Sequence, residues 1–251
     1  MTDTGSTSPQ AVTAGIVVIG DEILSGRTKD TNTGYICEYL TQIGVEAREV
    51  RVVPDVTAMI VEAIDTLRGR YTYVFTTGGI GPTHDDITAD AVASAYGVGI
   101  DVDPRAVEML RRRYPDAELT PARLRMARIP HGADLIENAV SGAPGFRIDN
   151  VFVMAGVPRV MQSMMDTIGP TLKTGSRIWS ETVDTGMPEG RIAEPLGRIA
   201  QAHPDVQIGS YPHYDGKGFN TQIVLRGRDA EKLQAAKSDV VAAVEELAQS
   251  E

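Results

Sequence analysis

The segment from Gly15 to Thr77 alternates apolar runs with amphipathic stretches, and this leaves few folds open. Gly15-Ile-Val-Val-Ile-Gly20 is a β-branched run between two glycines, the pattern of a strand buried on both faces. Asp21 and Glu22 follow as a polar strand end. Asp30 or Thr31 suits the cap of a helix carrying Ile36, Leu40 and Ile43 on one face, and Gly44 suits its end. Valines return over 45–53 as a second strand. Asp55 then opens a helix with Ile60, Ile64 and Leu67 aligned, and Tyr71 to Thr77 supplies a third strand. Strands joined by single helices through short connections predict an α/β fold with a mainly parallel sheet and right-handed crossovers.

Helices are predicted from Thr88 to Tyr96, from Pro104 through Arg111-Arg112-Arg113, and around Ala122 to Met126. Val151-Phe-Val-Met154 is another strand, and a Met-rich helix ends near Gly169-Pro170. From Ser176 the texture becomes β-α-β-β-α, with an Asp215-Gly216 turn between two alternating runs, the signal of an antiparallel hairpin. The expected organisation is therefore a disordered leader over 1–13, an α/β domain over 14–175 and a small α+β domain over 176–251.

Charge narrows the functional classes. Lys and Arg number 24 against 34 Asp and Glu, a formal charge of −10, which opposes non-specific attraction to nucleic acid or anionic membrane. Neither partner is expected, and an anionic ligand needs a local site. One cysteine, Cys37, and a start without a basic, apolar leader give a cytoplasmic expectation.

That local site is suggested by Gly78-Gly79-Ile80-Gly81-Pro82-Thr83-His84-Asp85-Asp86-Ile87-Thr88, between the third strand and the next helix. Loops there sit at the carboxyl edge of the sheet, where open α/β folds bind ligands. Gly78, Gly79 and Gly81 allow backbone to approach a phosphate, and Thr83, Thr88 and the helix start add donors. Asp85 and Asp86 would repel that phosphate unless a hard cation lies between; Mg²⁺ fits, with Mn²⁺ or Co²⁺ as alternatives. Asp86 equally suits an N-cap. Gly20, Asp21 and Glu22 reach the same edge, where the two carboxylates can join the metal and Asn32 can meet a hydroxyl or ring edge; Asp and Asn before a helix are also ordinary caps. Ser141 to Gly145 and Gly156-Val157-Pro158 read as small-residue turns. Arg111, Arg112, Arg113, Arg123, Arg125 and Arg128 gather charge suited to a phosphate tail, although a solvated helix face is the commoner use. No zinc spacing appears among the histidines, and Cys37 reads as a buried small hydrophobe.

Ala14 to Leu24, Asp30-Thr-Asn-Thr33, Val53-Pro-Asp55 and Gly78 to Thr88 together resemble the molybdopterin-binding-like domain family. The nearest likeness is to the N-terminal domain of competence/damage-inducible protein A and the matching domain of FAD synthase. The resemblance implies a three-layer α/β/α fold, with the tail similar to the middle domain that follows in the competence protein. It implies a nucleotidyl-transfer role for the aspartate matching Asp86 and, in the nearer branch, divalent-metal-dependent hydrolysis of pyrophosphate bonds in ADP-ribose or FAD. A dimer or trimer is also implied. The amidase and adenylyltransferase domains of the longer relatives have no counterpart in this sequence, so neither activity is expected. Ala155 and Val160 depart from the Pro-Gly-Val-Pro-x-Glu-Met of the competence branch. The leading expectation is a metal-dependent pyrophosphatase on a phosphorylated nucleotide. Its alternatives are a non-catalytic pterin or nucleotide binder and molybdopterin adenylyl transfer.

Overall fold

The structure is a computed structural model that describes residues 11–115, 119–214, 216 and 218–249. Its first strand, β1 (Thr13–Ile19), is buried along nearly its whole length because both faces are covered. Ile16 and Val18 enter one apolar layer and Val17 and Ile19 the other, the period of two expected of a strand. After β1 the chain makes a four-residue helix, α1 (Asp21–Leu24). Asp21 and Glu22, expected as a polar strand end, instead form its first turn, where negative charge complements the helix N-terminus.

Helix α2 (Asn32–Gln42) packs on one sheet face and leads into β2 (Glu46–Val53), and α3 (Thr57–Arg68) packs on the other and leads into β3 (Tyr73–Thr77). Both β2 and β3 pair parallel to β1, on opposite sides of it. The winding direction thus reverses between β1 and β3, and this is the topological switch point. Helix α4 (Thr88–Tyr96) follows, ended by Gly97 in the left-handed region at φ 63°. Then come β4 (Ile100–Val102), α5 (Pro104–Arg113), α6 (Pro121–Arg125), β5 (Arg128–Pro130), β6 (Asp134–Ile136), β7 (Gly145–Ile148), β8 (Val151–Met154) and α7 (Pro158–Ile168).

The main sheet runs β2-β1-β3-β8-β7-β6. Its first four strands are parallel; β7 and β6 add antiparallel pairs at the far side. The sheet is thus mainly parallel but mixed, sandwiched between helices in three layers. Strands β4 to β7 are absent from the sequence reading, and Gly145, assigned there to a turn, opens β7.

The chain separates into two compact units between Gly175 and Ser176. The second contains β9 (Trp179–Asp184), α8 (Glu189–Ala202), β10 (Gln207–Tyr214), β11 (Phe219–Gly227) and α9 (Ala230–Ala248), the expected β-α-β-β-α order. Its antiparallel sheet runs β10-β11-β9. Ile192, Ile223, Leu225, Leu233, Ala236 and Val240 form its core. Asp229 caps α9 by accepting from the Glu231 and Lys232 amides. Most of the predicted leader and Asp215 of the predicted turn lie outside the described residues. Among the described residues no helix is long and apolar enough to cross a membrane.

Candidate functional site at the sheet edge

The carboxyl ends of β1, β2 and β3 bring three loops to one edge, at the switch point. The loop after β3 passes through space that only glycine can occupy. Gly78 has φ 109° and lies so close to the Ile19 carbonyl of β1 that a side chain would collide with backbone. On its other side Gly156, in the loop after β8, stands such that a Cβ would be 3.3 Å from Gly78 Cα. Gly79 also lies in the left-handed region, at φ 67°, against the Thr88 hydroxyl. The loop is then pinned from within: Thr88 donates its hydroxyl to Gly78 O at 2.9 Å, and its amide to Gly79 O at 2.9 Å. Thr88, proposed from sequence as a ligand donor, is fully buried in this brace.

Asn32 is also turned inward. It is 7% exposed, and its Nδ2 donates to Thr77 Oγ1 at 2.8 Å and Gly156 O at 2.7 Å. Thr77 Oγ1 in turn donates to Ala155 O at 2.9 Å. One amide thus ties the start of α2 to the loops after β3 and β8. Asp30 caps α2 by accepting from the Asn32 and Thr33 amides. Ala155 therefore contributes its carbonyl, and Val160 is buried in the apolar layer beneath α7.

What remains open at the edge is backbone donors and carboxylates. Among the described residues, the amides of Gly79, Ile80 and Gly81 donate to no protein acceptor. Asp86 lies across Gly81, and its Oδ2 accepts from the Thr83 amide at 2.7 Å and from the Thr83 hydroxyl. Thr83 is thus the partner that orients Asp86. Its side chain, with the Asp85 amide, also holds the exposed Asp85 carboxyl below the usual carboxylate range.

Asp55 completes the acidic edge, a residue the sequence reading assigned only to opening α3. Its Oδ2 accepts from the Asp21 amide at 3.0 Å, and a Cβ on Gly79 would stand 3.6 Å from its Oδ1. Burial pushes the Asp55 carboxyl up, the Asp21 amide opposes that, and the charges of Asp21, Glu22 and Asp85 add to the rise. Carboxylates from all three loops therefore feel one another. They do not converge: among the described residues no group of three or more His, Cys, Asp or Glu side chains is placed to hold a metal ion. Gly20 sits against the Glu22 carboxylate, its amide donating to Val53 O at 3.1 Å. Away from the edge, Cys37 is partly buried, and burial pushes its thiol up.

Comparison with known proteins agrees with this architecture. Residues 15–174 match the family model described as probable molybdopterin binding domain. The chain belongs to that family. Residues 177–250 match the model described as FAD synthase, middle domain, which accounts for the second unit. A protein of Archaeoglobus fulgidus is 32% identical over 221 residues, covering 88% of this chain and 93% of its own. The probable FAD synthase of Caenorhabditis elegans is 31% identical over 265 residues, covering 95% of this chain but 50% of its own. This chain thus spans half the length of that relative. Among solved structures, the protein CinA with unknown function from Thermoplasma acidophilum superposes with a TM-score of 0.60 at 35% identity. It covers 64% of this chain and 98% of its own. Membership in the molybdopterin binding domain family and the three-layer fold both follow the sequence resemblance.

Proposed function

We propose that the protein binds a phosphorylated nucleotide at the Gly79–Gly81 loop and hydrolyses a pyrophosphate bond of the ADP-ribose or FAD type with a divalent metal. One juxtaposition carries this reading: successive amides unpaired among the described residues, a nest suited to phosphoryl oxygens, lie beside Asp86 and Asp55, with the charge of Asp85 felt at Asp55. Donors for an anion and a concentration of carboxylates are compatible when a cation mediates between them. The donor set, all carboxylate oxygen, fits Mg²⁺, which takes one or two protein carboxylates and completes its shell with phosphate and water. Asp85 and Asp86 would hold it, with Asp21, Glu22 or Asp55 at its outer side. A bound divalent cation supplies charge neutralisation at phosphoryl oxygens and a lowered pKa for a coordinated water.

The chain's own residues do the rest. The amides of Gly79 to Gly81 fix the phosphoryl group, and Thr83 fixes Asp86. Hydrolysis forms one P–O bond to a water oxygen and breaks the bridging P–O bond, releasing AMP and a second phosphomonoester. An edge carboxylate not engaged by the cation would orient the attacking water and take its proton. A second reading, binding without turnover, is favoured by the carboxylates' failure to converge. Molybdopterin adenylyl transfer gains no specific support from the geometry.

The test is AMP release from ADP-ribose and from FAD under Mg²⁺, Mn²⁺ and Co²⁺, for the wild type and Asp86→Asn. AMP that requires both metal and Asp86, with a loss of roughly 100-fold or more in the variant, supports hydrolysis. No AMP from a protein that nucleotide still stabilises thermally establishes the binding reading instead.

A further inference from the structure

The arginines between α5 and β5 do not share one role. Arg111, Arg112 and Arg113 are exposed at the end of α5. The Arg123 guanidinium lies 5.1 Å from the Tyr114 ring centroid. Arg128 is committed to Asp90 by a fork of 2.8 and 2.6 Å bonds. Arg125 differs from all of these. Its Nη2 donates to the Asp86 carbonyl at 3.0 Å, so it grips the loop. Its Nε is buried and has no hydrogen-bond partner.

A guanidinium N–H enclosed without an acceptor is costly, and charge-assisted bonds are the strongest a side chain makes. Arg125 lines a small cavity with Gly79, Gly81, Asp86 and Phe146, beside the unpaired Gly79 to Gly81 amides. The cavity that Arg125 lines is thus also the one whose loop offers donors to an anion. In a chain of net charge −10, a cation beneath that loop is also what allows an anion to settle among carboxylates.

The geometry points to Arg125 as the anion anchor of this pocket: a small turn of its guanidinium delivers the unpartnered Nε–H to a phosphoryl oxygen of the ligand while Nη2 keeps its hold on the Asp86 loop. This rests on the reading that the pocket binds a phosphorylated ligand. It names the residue that selects for phosphate charge, and leaves the exposed arginines of α5 outside the site.

The experiment titrates the full chain calorimetrically at fixed Mg²⁺ with inorganic pyrophosphate and with AMP, for wild type, Arg125→Gln, Arg125→Lys and Arg112→Gln, and the wild type also with ADP-ribose. Arg125→Gln weakens pyrophosphate roughly 10- to 100-fold, the range for loss of a charge-assisted bond. Arg125→Lys falls between, because it keeps the charge and loses the planar fork, and Arg112→Gln binds as wild type. If Arg125→Gln binds pyrophosphate and AMP as wild type does, water satisfies Nε and Arg125 is only a loop clamp. Should Arg125→Gln fail to fold, wild-type affinity in Arg125→Lys overturns the assignment and weakened affinity in a folded Lys variant supports it. A wild type that binds neither probe, nor ADP-ribose, overturns the phosphate reading itself; binding that is indifferent to residue 125 overturns only the anchor.

Discussion

Asn32→Asp isolates the tie that holds the edge loops together, because it changes chemistry without changing shape. The amide nitrogen at 2.8 Å from Thr77 Oγ1 and 2.7 Å from Gly156 O becomes an oxygen facing two oxygens. Thr77 can turn its hydroxyl to the new carboxylate only by releasing Ala155 O, now held at 2.9 Å. At least one buried carbonyl is then left unpaired, a loss of about 1–3 kcal/mol. The carboxylate itself occupies a position 7% exposed, and a buried charge stripped of its partner costs about 3–5 kcal/mol. These penalties overlap, so the expected loss near pH 7.5 is about 3–5 kcal/mol.

With a urea slope of about 2 kcal/mol/M, the midpoint of the N-terminal unit falls by roughly 1.5–2.5 M. Far-UV circular dichroism follows it, and fluorescence of the single tryptophan, Trp179 on β9, reports the second unit separately. The pH dependence has a definite sign. Burial raises the folded-state pKa of the new carboxyl above its unfolded value, so its penalty is absent below the unfolded pKa and grows as pH rises through the folded one. The deficit should therefore shrink toward about pH 4. A variant within about 0.5 kcal/mol of wild type at neutral pH, or a deficit indifferent to pH, would refute the tie.

Gly78→Ala places a Cβ on the Ile19 carbonyl and holds alanine at φ 109°. Strain of about 1–3 kcal/mol plus a clash with fixed backbone lowers Tm by roughly 6–12 °C in calorimetry; a shift under about 3 °C would show that the two strand ends can part freely. Asp55→Asn keeps an acceptor for the Asp21 amide and removes a carboxyl raised by burial and by its acidic neighbours. A raised carboxylate contributes stability below its unfolded pKa and loses it above. The variant should thus be the more stable protein at neutral pH and the gap should close near pH 4, as followed by urea midpoints across pH. A gap that widens on acidification would contradict the acidic edge.

The fold was legible wherever burial left a long pattern. Gly15 to Gly20 reads as a doubly buried strand because β1 is covered on both faces, and Ile60, Ile64 and Leu67 recur because α3 presents one stripe to the sheet. Strands β4 to β7 escaped because three or four residues of mixed polarity are too short for alternation to register, whereas the four of β8 are all apolar, and α1 escaped because one turn has no period. At the site, spacing showed which residues reach the edge but not which way they turn. Asn32 and Thr88 reach it and spend their donors inward. Asp55 was visible as the first acidic residue past β2, and a doubly wound sheet puts all parallel strand ends on one edge. Its second use, accepting from Asp21 across the edge, lies between loops far apart in sequence.

That division follows from how the pocket is made. The polar side chains nearest the glycines are structural: Thr88 and Asn32 brace the loop, and Thr83 braces Asp86. Among the described residues, their work leaves the Gly79 to Gly81 amides without a protein acceptor. Backbone amides hold position only as well as the chain that carries them, and here that chain is fixed on one side by β1 and on the other by the Gly156 loop. Preorganised donors need no reordering when an anion arrives, so the binding free energy is not spent on loop closure. The same rigidity sets the condition for the proposed hydrolysis. Under the proposed reading, if the carboxylates do not move on binding, the ligand's own phosphate oxygens complete the cation's shell, and metal and nucleotide are expected to bind with positive coupling. Each should tighten the other by the same factor. Independent binding would mean that no cation sits between loop and carboxylates.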